Sequence, residues 1–215
     1  MILDFNGTLS DDEHLLDRLF REALLAEAGI ELTSETYFEK LAGLSDPEIA
    51  DRALAGAGKA GDAELRERVL RAKIAGYKAA VTERVPIGTE AVEFVRAAAE
   101  RVPLAIASGA YREEIELVLE LAGIGDRFDA VVCIDDVARG KPDPEGYLMA
   151  LRGIGGEPVP AADALAIEDS AAGVAAAHAA GMRCAAIAGD TRAEEAADLV
   201  VERLDAALAE RLLAG

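Results

Sequence analysis

The sequence predicts an α/β fold, in which a doubly wound parallel sheet carries an inserted all-α segment. Short apolar runs recur along the 215 residues, and most are followed by a turn and then by an amphipathic segment. These runs do not alternate apolar and polar residues, which is typical of strands buried on both faces of a parallel sheet. From about residue 14 to residue 85 the runs stop, and only helical patterns remain.

The apolar runs give the strands in order. They are Met1–Phe5, Leu104–Ala107, Ala130–Ile134, Ala164–Ile167, Cys184–Ala188 and Leu199–Val201. Beyond Pro86, helical patterns separate them at Gly88–Glu100, Arg112–Ala122, Pro144–Gly153 and Ser170–Ala180. Strands that alternate with helices in this way predict a Rossmann-like core.

The inserted segment reads as four helices with charged faces. They are Leu15–Glu27, Ser34–Leu41, Pro47–Ala55 and Ala63–Ala80. We therefore predict two domains: an α/β core made of residues 1–13 and 86–215, and a helical domain made of residues 14–85.

Charge and hydropathy exclude several classes of partner. Acidic residues number 41 against 22 basic ones, which gives a net charge of −19. A field of that sign repels nucleic acids and anionic membrane surfaces. No run approaches the roughly 20 apolar residues of a membrane span, and the N-terminus lacks the pattern of a signal peptide. We expect a cytoplasmic protein with no nucleic-acid or membrane partner, and with Cys133 and Cys184 reduced and buried. Nothing in the sequence indicates an oligomeric state.

Polar residues end four of the predicted strands. They are Asp4 with Asn6, then Ser108, then Lys141, and finally Glu168 with Asp169. In open parallel sheets, ligands bind at the carboxyl ends of the strands. The sequence therefore predicts that these side chains converge on one site.

Each group has a functional interpretation and a plainer one. A carboxylate at Asp4 can attack an electrophile or bind a metal, or it can simply form a turn. Ser108 and Gly109, at a helix N-terminus, suit a phosphate, although Ser108 also suits an ordinary cap. Lys141 can neutralise a phosphoryl oxygen or can be a surface lysine. Adjacent acids at Glu168 and Asp169 repel each other unless hydrogen bonds or a cation such as Mg²⁺ compensate; the plainer interpretation is a helix-capping Asp169 beside a solvated Glu168.

Together these residues resemble the haloacid dehalogenase superfamily, in particular its phosphoglycolate phosphatase and β-phosphoglucomutase-like branch. Residues 4–9 match the motif D-x-D-G-T-L except at Asn6, and residues 140–144 read G-K-P-D-P. Residues 168–170 read E-D-S, with Gly173 following, and residues 179–182 read A-A-G-M. The helical insert occupies the position of that branch's cap domain.

The resemblance implies the roles of the site residues. Asp4 would attack phosphorus and form an aspartyl-phosphate. Mg²⁺ would be held by Asp4, the backbone carbonyl of Asn6 and Asp169, with Glu168 binding directly or through water. Ser108 and Lys141 would hold the transferring phosphoryl group, together with neighbouring groups at Phe5, Thr8 and Gly109.

A further candidate lies in the insert. Lys73 and Tyr77 are four residues apart on a predicted helix and share a face. Lys73 is a candidate for adding positive charge next to a bound phosphate, but the pattern favours the alternative of a solvated lysine beside a packing tyrosine, because lysines are mostly exposed.

Asn6 departs from the family, because the residue there normally acts as general acid and base. Four explanations stay open: an introduced substitution that traps a complex, a native enzyme restricted to good leaving groups, a phosphate-binding protein with little turnover, and partial deamidation of Asn6-Gly7. The resemblance implies a Mg²⁺-dependent phosphatase acting on a small phosphorylated metabolite, such as a sugar phosphate or short phospho-acid. The alternatives are a metabolite-binding protein on the same fold and a phosphosugar mutase; Asn6, and Asp46 at a position where the mutase has a basic residue, disfavour the mutase.

Overall fold

The computed structural model describes residues 1–155 and 158–214. The chain forms two compact units: Asp12–Arg84 is one, and Met1–Asp11 with the chain from Val85 onward is the other. Within the second unit, the segment that ends at Asp11 and the segment that begins at Val85 are adjacent: the Asp11 N–H donates to the Pro86 carbonyl at 2.8 Å.

The unit Asp12–Arg84 is helical. Its helices are α1 (Glu13–Ala28), α2 (Ser34–Lys40), α3 (Asp46–Gly56) and α4 (Ala63–Glu83). Helices α1 and α3 both pack against α4. Their apolar faces meet in a core that includes Phe20, Leu24, Val69 and Tyr77, all without solvent exposure. Each observed helix overlaps the corresponding predicted one.

The second unit contains a parallel sheet. Its strands are β1 (Ile2–Leu3), β2 (Ala105–Ala107), β3 (Ala130–Val132), β4 (Leu165–Glu168), β5 (Arg183–Ile187) and β6 (Leu199–Val201). Every pairing is parallel, and the strand order is β3-β2-β1-β4-β5-β6. The predicted fold class is therefore confirmed.

Helices flank the sheet. They are α5 (Thr89–Ala99), α6 (Arg112–Ala122), α7 (Glu145–Gly153), α8 (Ala171–Ala179), α9 (Thr191–Ala196) and α10 (Ala206–Leu212). The last two are short and were not predicted; α10 packs against α5. The core between α7, α8 and the sheet consists largely of small residues, among them Ala105, Ala166 and Val174. Cys133 and Cys184 are free and buried, as predicted.

The order of the strands determines where a ligand can bind. The central strand β1 lies between β2 and β4, so the chain leaves in opposite directions on its two sides. Such a switch point opens a crevice at the carboxyl ends of the strands. Asp4 follows β1 directly at that point. Within the described residues, no helix has the length and apolar character needed to cross a membrane.

Candidate active site

The loop after β1 holds Asp4 at the edge of the sheet. The Asp4 N–H donates to the Ile167 carbonyl at 2.9 Å and extends the β1–β4 pairing by one residue. The Phe5 carbonyl then accepts the N–H groups of Leu9 at 2.9 Å and of Ser10 at 2.8 Å, which curls the chain into a tight loop. Asp4 is therefore rigidly placed and only 6% exposed.

Glycine is required at position 7 for two reasons. Its φ of +74° lies in the left-handed region, where a side chain is strained. A Cβ at this position would also overlap the carboxylate of Asp169. Asp169 in turn accepts the Thr8 hydroxyl at 3.3 Å, so the loop after β1 and the end of β4 are in direct contact.

Lys141 joins the acids of two strands. Its ammonium donates to Asp4 Oδ1 at 2.5 Å and also to Glu168 Oε1. Asp4 and Lys141 are 137 residues apart in sequence. The interpretation of Lys141 as a surface lysine is wrong, because its side chain is only 15% exposed and lies between two carboxylates.

The three carboxylates at this point form a compact acidic cluster. One oxygen each from Asp4, Glu168 and Asp169 lies within 4.8 Å of the others. Three carboxylates and the Lys141 ammonium leave a formal charge of −2. Oxygen ligands with that charge fit a divalent cation such as Mg²⁺. Glu168 is fully buried, so the alternative of a solvated glutamate is wrong.

Burial and mutual charge shift the acidities in the cluster. The pKa of Asp4 is raised, mainly because burial disfavours its charged form; the Lys141 charge opposes this shift and the Glu168 charge adds to it. Burial alone would lower the pKa of Lys141, but attraction to Asp4 and Glu168 outweighs it and raises that pKa. Lys141 therefore stays protonated and carries a permanent positive charge at the site.

Ser108 and Gly109 lie beside the lysine. The Ser108 Oγ accepts the Ala110 N–H at 3.1 Å in the turn before α6. The interpretation of Ser108 as a helix cap is wrong, because α6 begins at Arg112 and its N-cap is Tyr111. Ser108 and Gly109 also line a small cavity, together with Lys141 and Tyr147. This turn hydrogen bond leaves Ser108 able to bind phosphate, because its hydroxyl oxygen has a second lone pair and its own proton to offer.

The sequence and the fold match known proteins. Residues 1–181 match the family described as haloacid dehalogenase-like hydrolase. The chain belongs to this family. It is 30% identical to validoxylamine A 7'-phosphate phosphatase of Streptomyces hygroscopicus subsp. limoneus, over 92% of this chain and 89% of that protein.

Two solved structures show the same fold as this hydrolase. One is β-phosphoglucomutase from Clostridium difficile, with a TM-score of 0.82, 25% identity, and coverage of 94% of this chain and 90% of the other. The other is a mutant of CbbY from Rhodobacter sphaeroides in complex with xylulose-(1,5)bisphosphate. It has a TM-score of 0.82, 30% identity, and coverage of 94% of this chain and 93% of the other.

In the helical unit of this hydrolase, Lys73 is fully buried. Its ammonium donates to Asp46 Oδ2 at 2.6 Å and lies 5.4 Å and 5.2 Å from the ring centroids of Phe20 and Tyr77. The alternative of a solvated lysine is therefore wrong. Asp46, which stands where the mutase has a basic residue, is the acidic partner of Lys73 in this ion pair. No observation tests contact between Lys73 and a phosphate, so that role stays a prediction.

The motifs did not reveal Tyr147. It is the third residue of α7 and is 1% exposed. Its hydroxyl donates a hydrogen bond to Glu168 Oε1 at 2.7 Å. The available signal was its position just after the G-K-P-D-P segment, since a buried tyrosine hydroxyl usually has a partner. Which partner it has depends on how α7 packs on the sheet and against α8.

Proposed function

We propose that this hydrolase is a Mg²⁺-dependent phosphatase that acts on a small phosphorylated metabolite. The observation that carries the proposal is the Asp4 carboxylate, fixed after β1, with the Lys141 ammonium 2.5 Å away and two further carboxylates beside it. A nucleophile, a permanent cation and a set of oxygen ligands for a divalent ion are what phosphoryl transfer needs. The phosphatase relative supports the same reaction class.

Asp4 would act as the nucleophile. One carboxylate oxygen attacks phosphorus, a new P–O bond forms to Asp4, and the bond to the leaving alcohol oxygen breaks. Water then attacks the aspartyl-phosphate, which releases inorganic phosphate and restores the carboxylate. Lys141 would stabilise the negative charge that spreads over the phosphoryl oxygens, assisted by Ser108, Gly109 and N–H groups of the Phe5–Thr8 loop.

The acidic cluster would hold the metal. Asp4, Asp169 and the backbone carbonyl of Asn6 would be its ligands, with Glu168 alongside. When bound, Mg²⁺ supplies positive charge that offsets the −2 of the cluster and the charge of the phosphate. The negative net charge of the whole protein is thereby overcome locally for an anionic substrate.

Asn6 would make the enzyme sensitive to its leaving group. An amide can hydrogen-bond to a departing oxygen but cannot donate a proton to it and then take one from water. General acid–base help is worth about 10²–10⁴-fold in rate. Esters with good leaving groups are therefore expected to be hydrolysed much faster than simple sugar phosphates.

The substrate class is proposed from the relatives. One is named for a phosphate ester that it hydrolyses, and another binds a phosphorylated sugar in its crystal structure. We favour a sugar phosphate, with the helical unit selecting it as cap domains do in the family. A mutase is the second candidate, because the fold matches β-phosphoglucomutase; Asn6 disfavours it, since a mutase uses the acid and base twice.

The test is phosphate release from an activated aryl phosphate and from a panel of sugar phosphates, with and without Mg²⁺. This chain is run beside Asn6→Asp and Asp4→Asn. We expect activity that EDTA abolishes, that Asp4→Asn removes, and that Asn6→Asp raises by about 10²–10⁴-fold on sugar phosphates. Unchanged turnover by Asp4→Asn would show that the nucleophile is another group. If this chain and Asn6→Asp bind magnesium and phosphate but neither turns over a phosphate ester, the binding-protein alternative is established instead.

A further inference from the structure

Glu168 is surrounded by hydrogen-bond donors. Its Oε2 accepts the N–H groups of Asp169 at 3.2 Å and Ser170 at 3.3 Å, and the Ser170 hydroxyl at 3.1 Å. Its Oε1 accepts the Lys141 ammonium and the Tyr147 hydroxyl. Five donors meet a carboxylate that offers about four lone-pair sites. The orientation of Glu168 is therefore fixed from several directions at once.

Tyr147 contacts both members of the Lys141–Glu168 ion pair. Its hydroxyl donates to Glu168 Oε1 at 2.7 Å, while the Lys141 Nζ lies 5.4 Å from the centroid of its ring. A phenylalanine would fill the same volume and keep the ring beneath the ammonium. The hydroxyl therefore contributes something other than packing, and the atom it binds is the oxygen that also holds the lysine.

Gly173 lies directly against the same carboxylate. A Cβ on this residue of α8 would overlap the Glu168 side chain, so the helix backbone itself lies against the acid. Glu168 thus contacts both the tyrosine of α7 and the backbone of α8, and it is fully buried there.

Two acids compete for one flexible cation. Lys141 has four rotatable bonds to its ammonium, and both Asp4 and Glu168 accept from it. By donating to Glu168 Oε1, Tyr147 occupies one lone pair of that oxygen and offsets part of its charge. The lysine is then shared between the two acids, whereas an unassisted Glu168 would draw it away from Asp4.

We propose that Tyr147 is a positioning residue whose hydroxyl orients Glu168 so that Glu168 presents the Lys141 ammonium to Asp4. The catalytic consequence rests on the proposed function, in which Asp4 is the nucleophile. The placement of Lys141 does not rest on it, and the two parts can be measured separately.

The test compares Tyr147→Phe with Tyr37→Phe. Both changes remove one buried tyrosine hydroxyl, but Tyr37 lies in the helical unit and its hydroxyl has no hydrogen-bond partner among the described residues. The first readout is the NMR resonance of the Lys141 side-chain ammonium, assigned with Lys141→Arg. The second is kcat and KM for Mg²⁺-dependent phosphate release, and the third is the melting temperature.

For Tyr147→Phe we expect a shifted or broadened Lys141 resonance and a fall in kcat of about tenfold, the scale of one hydrogen bond to a charged group. KM should change by less than about twofold, because the lost interaction acts in the transition state. Tyr37→Phe should match the parent in the Lys141 resonance, kcat and KM, and its melting temperature should be the same or higher. An unchanged Lys141 resonance, or a lowered melting temperature with unchanged kcat, overturns the proposal.

Failure of the proposed function is a separate result. If the parent and Asn6→Asp hydrolyse no phosphate ester, the phosphatase proposal fails, and the Lys141 resonance alone decides the placement. If Tyr147→Phe does not fold, the parent protein still gives an answer. In the parent, the Tyr147 hydroxyl proton can be assigned by its through-space contact to the protons of its own ring. We expect this proton to exchange slowly with solvent, and rapid exchange overturns the proposal.

Discussion

Gly173→Ala is the smallest change that should disrupt the acidic cluster. The added methyl group would overlap the Glu168 carboxylate, which lies against the backbone of α8. Glu168 cannot move outward without leaving donors behind, because its Oε2 is bound by the Ser170 hydroxyl and by two backbone N–H groups. The methyl group therefore pushes the Glu168 carboxylate away from some of these three hydrogen-bond donors.

The magnitude follows from the hydrogen bonds that are lost. A hydrogen bond to a charged group contributes about 1.5–3 kcal/mol, so losing two costs about 3–6 kcal/mol. Alanine is favoured over glycine inside a helix by about 1 kcal/mol, which offsets a small part. The expected net loss in the free energy of unfolding is about 2–5 kcal/mol. For a chain of this size, each kcal/mol lowers the melting temperature by about 2–4 °C.

The assay is urea unfolding of Gly173→Ala beside Gly56→Ala. Gly56 is also helical, but a Cβ there would meet nothing within 4 Å. Gly56→Ala should be neutral or should stabilise the protein by up to about 1 kcal/mol. If Gly173→Ala were as stable as Gly56→Ala, the close contact between α8 and Glu168 would be refuted.

Three further predictions concern other parts of the chain. Tyr37→Phe removes a buried hydroxyl that has no hydrogen-bond partner among the described residues, so the free energy of unfolding in urea should stay the same or rise by up to about 2 kcal/mol; a clear loss would contradict this. Lys73→Met leaves the buried Asp46 without its cation and should lower that free energy by about 3–5 kcal/mol, whereas adding Asp46→Leu should restore part of it. Purely additive losses would show that the two charges do not interact. Finally, Asn6 should resist deamidation in the native protein, because the Gly7 nitrogen that would attack its side chain donates a hydrogen bond at 2.8 Å; mass spectrometry should detect conversion only after unfolding in urea.

In the helical unit, the local sequence pattern predicts the helix but not the burial of its side chains. The pattern correctly predicted that residues 63–80 form a helix and that Lys73 and Tyr77 share a face. It favoured a solvated lysine, because lysines are rarely buried. The structure buries Lys73 completely, and this is possible because Asp46, 27 residues away in sequence, supplies the opposite charge.

The sequence alone determined the parallel sheet, the inserted helices and the residues at the strand ends. These features depend on contacts between near neighbours: the spacing of apolar residues, the glycine of a tight turn, and a motif confined to a few positions. Asp4, Lys141, Glu168 and Asp169 could be identified in this way because parallel strands bring their carboxyl ends to one edge.

Only the tertiary structure decided how those residues are held. The Tyr147 hydroxyl and Glu168 are 21 residues apart, and they meet because α7 packs on β1, β2 and β3 and against α8, next to the end of β4. The need for glycine at position 173 arises in the same way, from a carboxylate that meets the backbone of α8. Residue type and spacing specify what a side chain can bind, whereas the packing of whole elements specifies which partner is within reach.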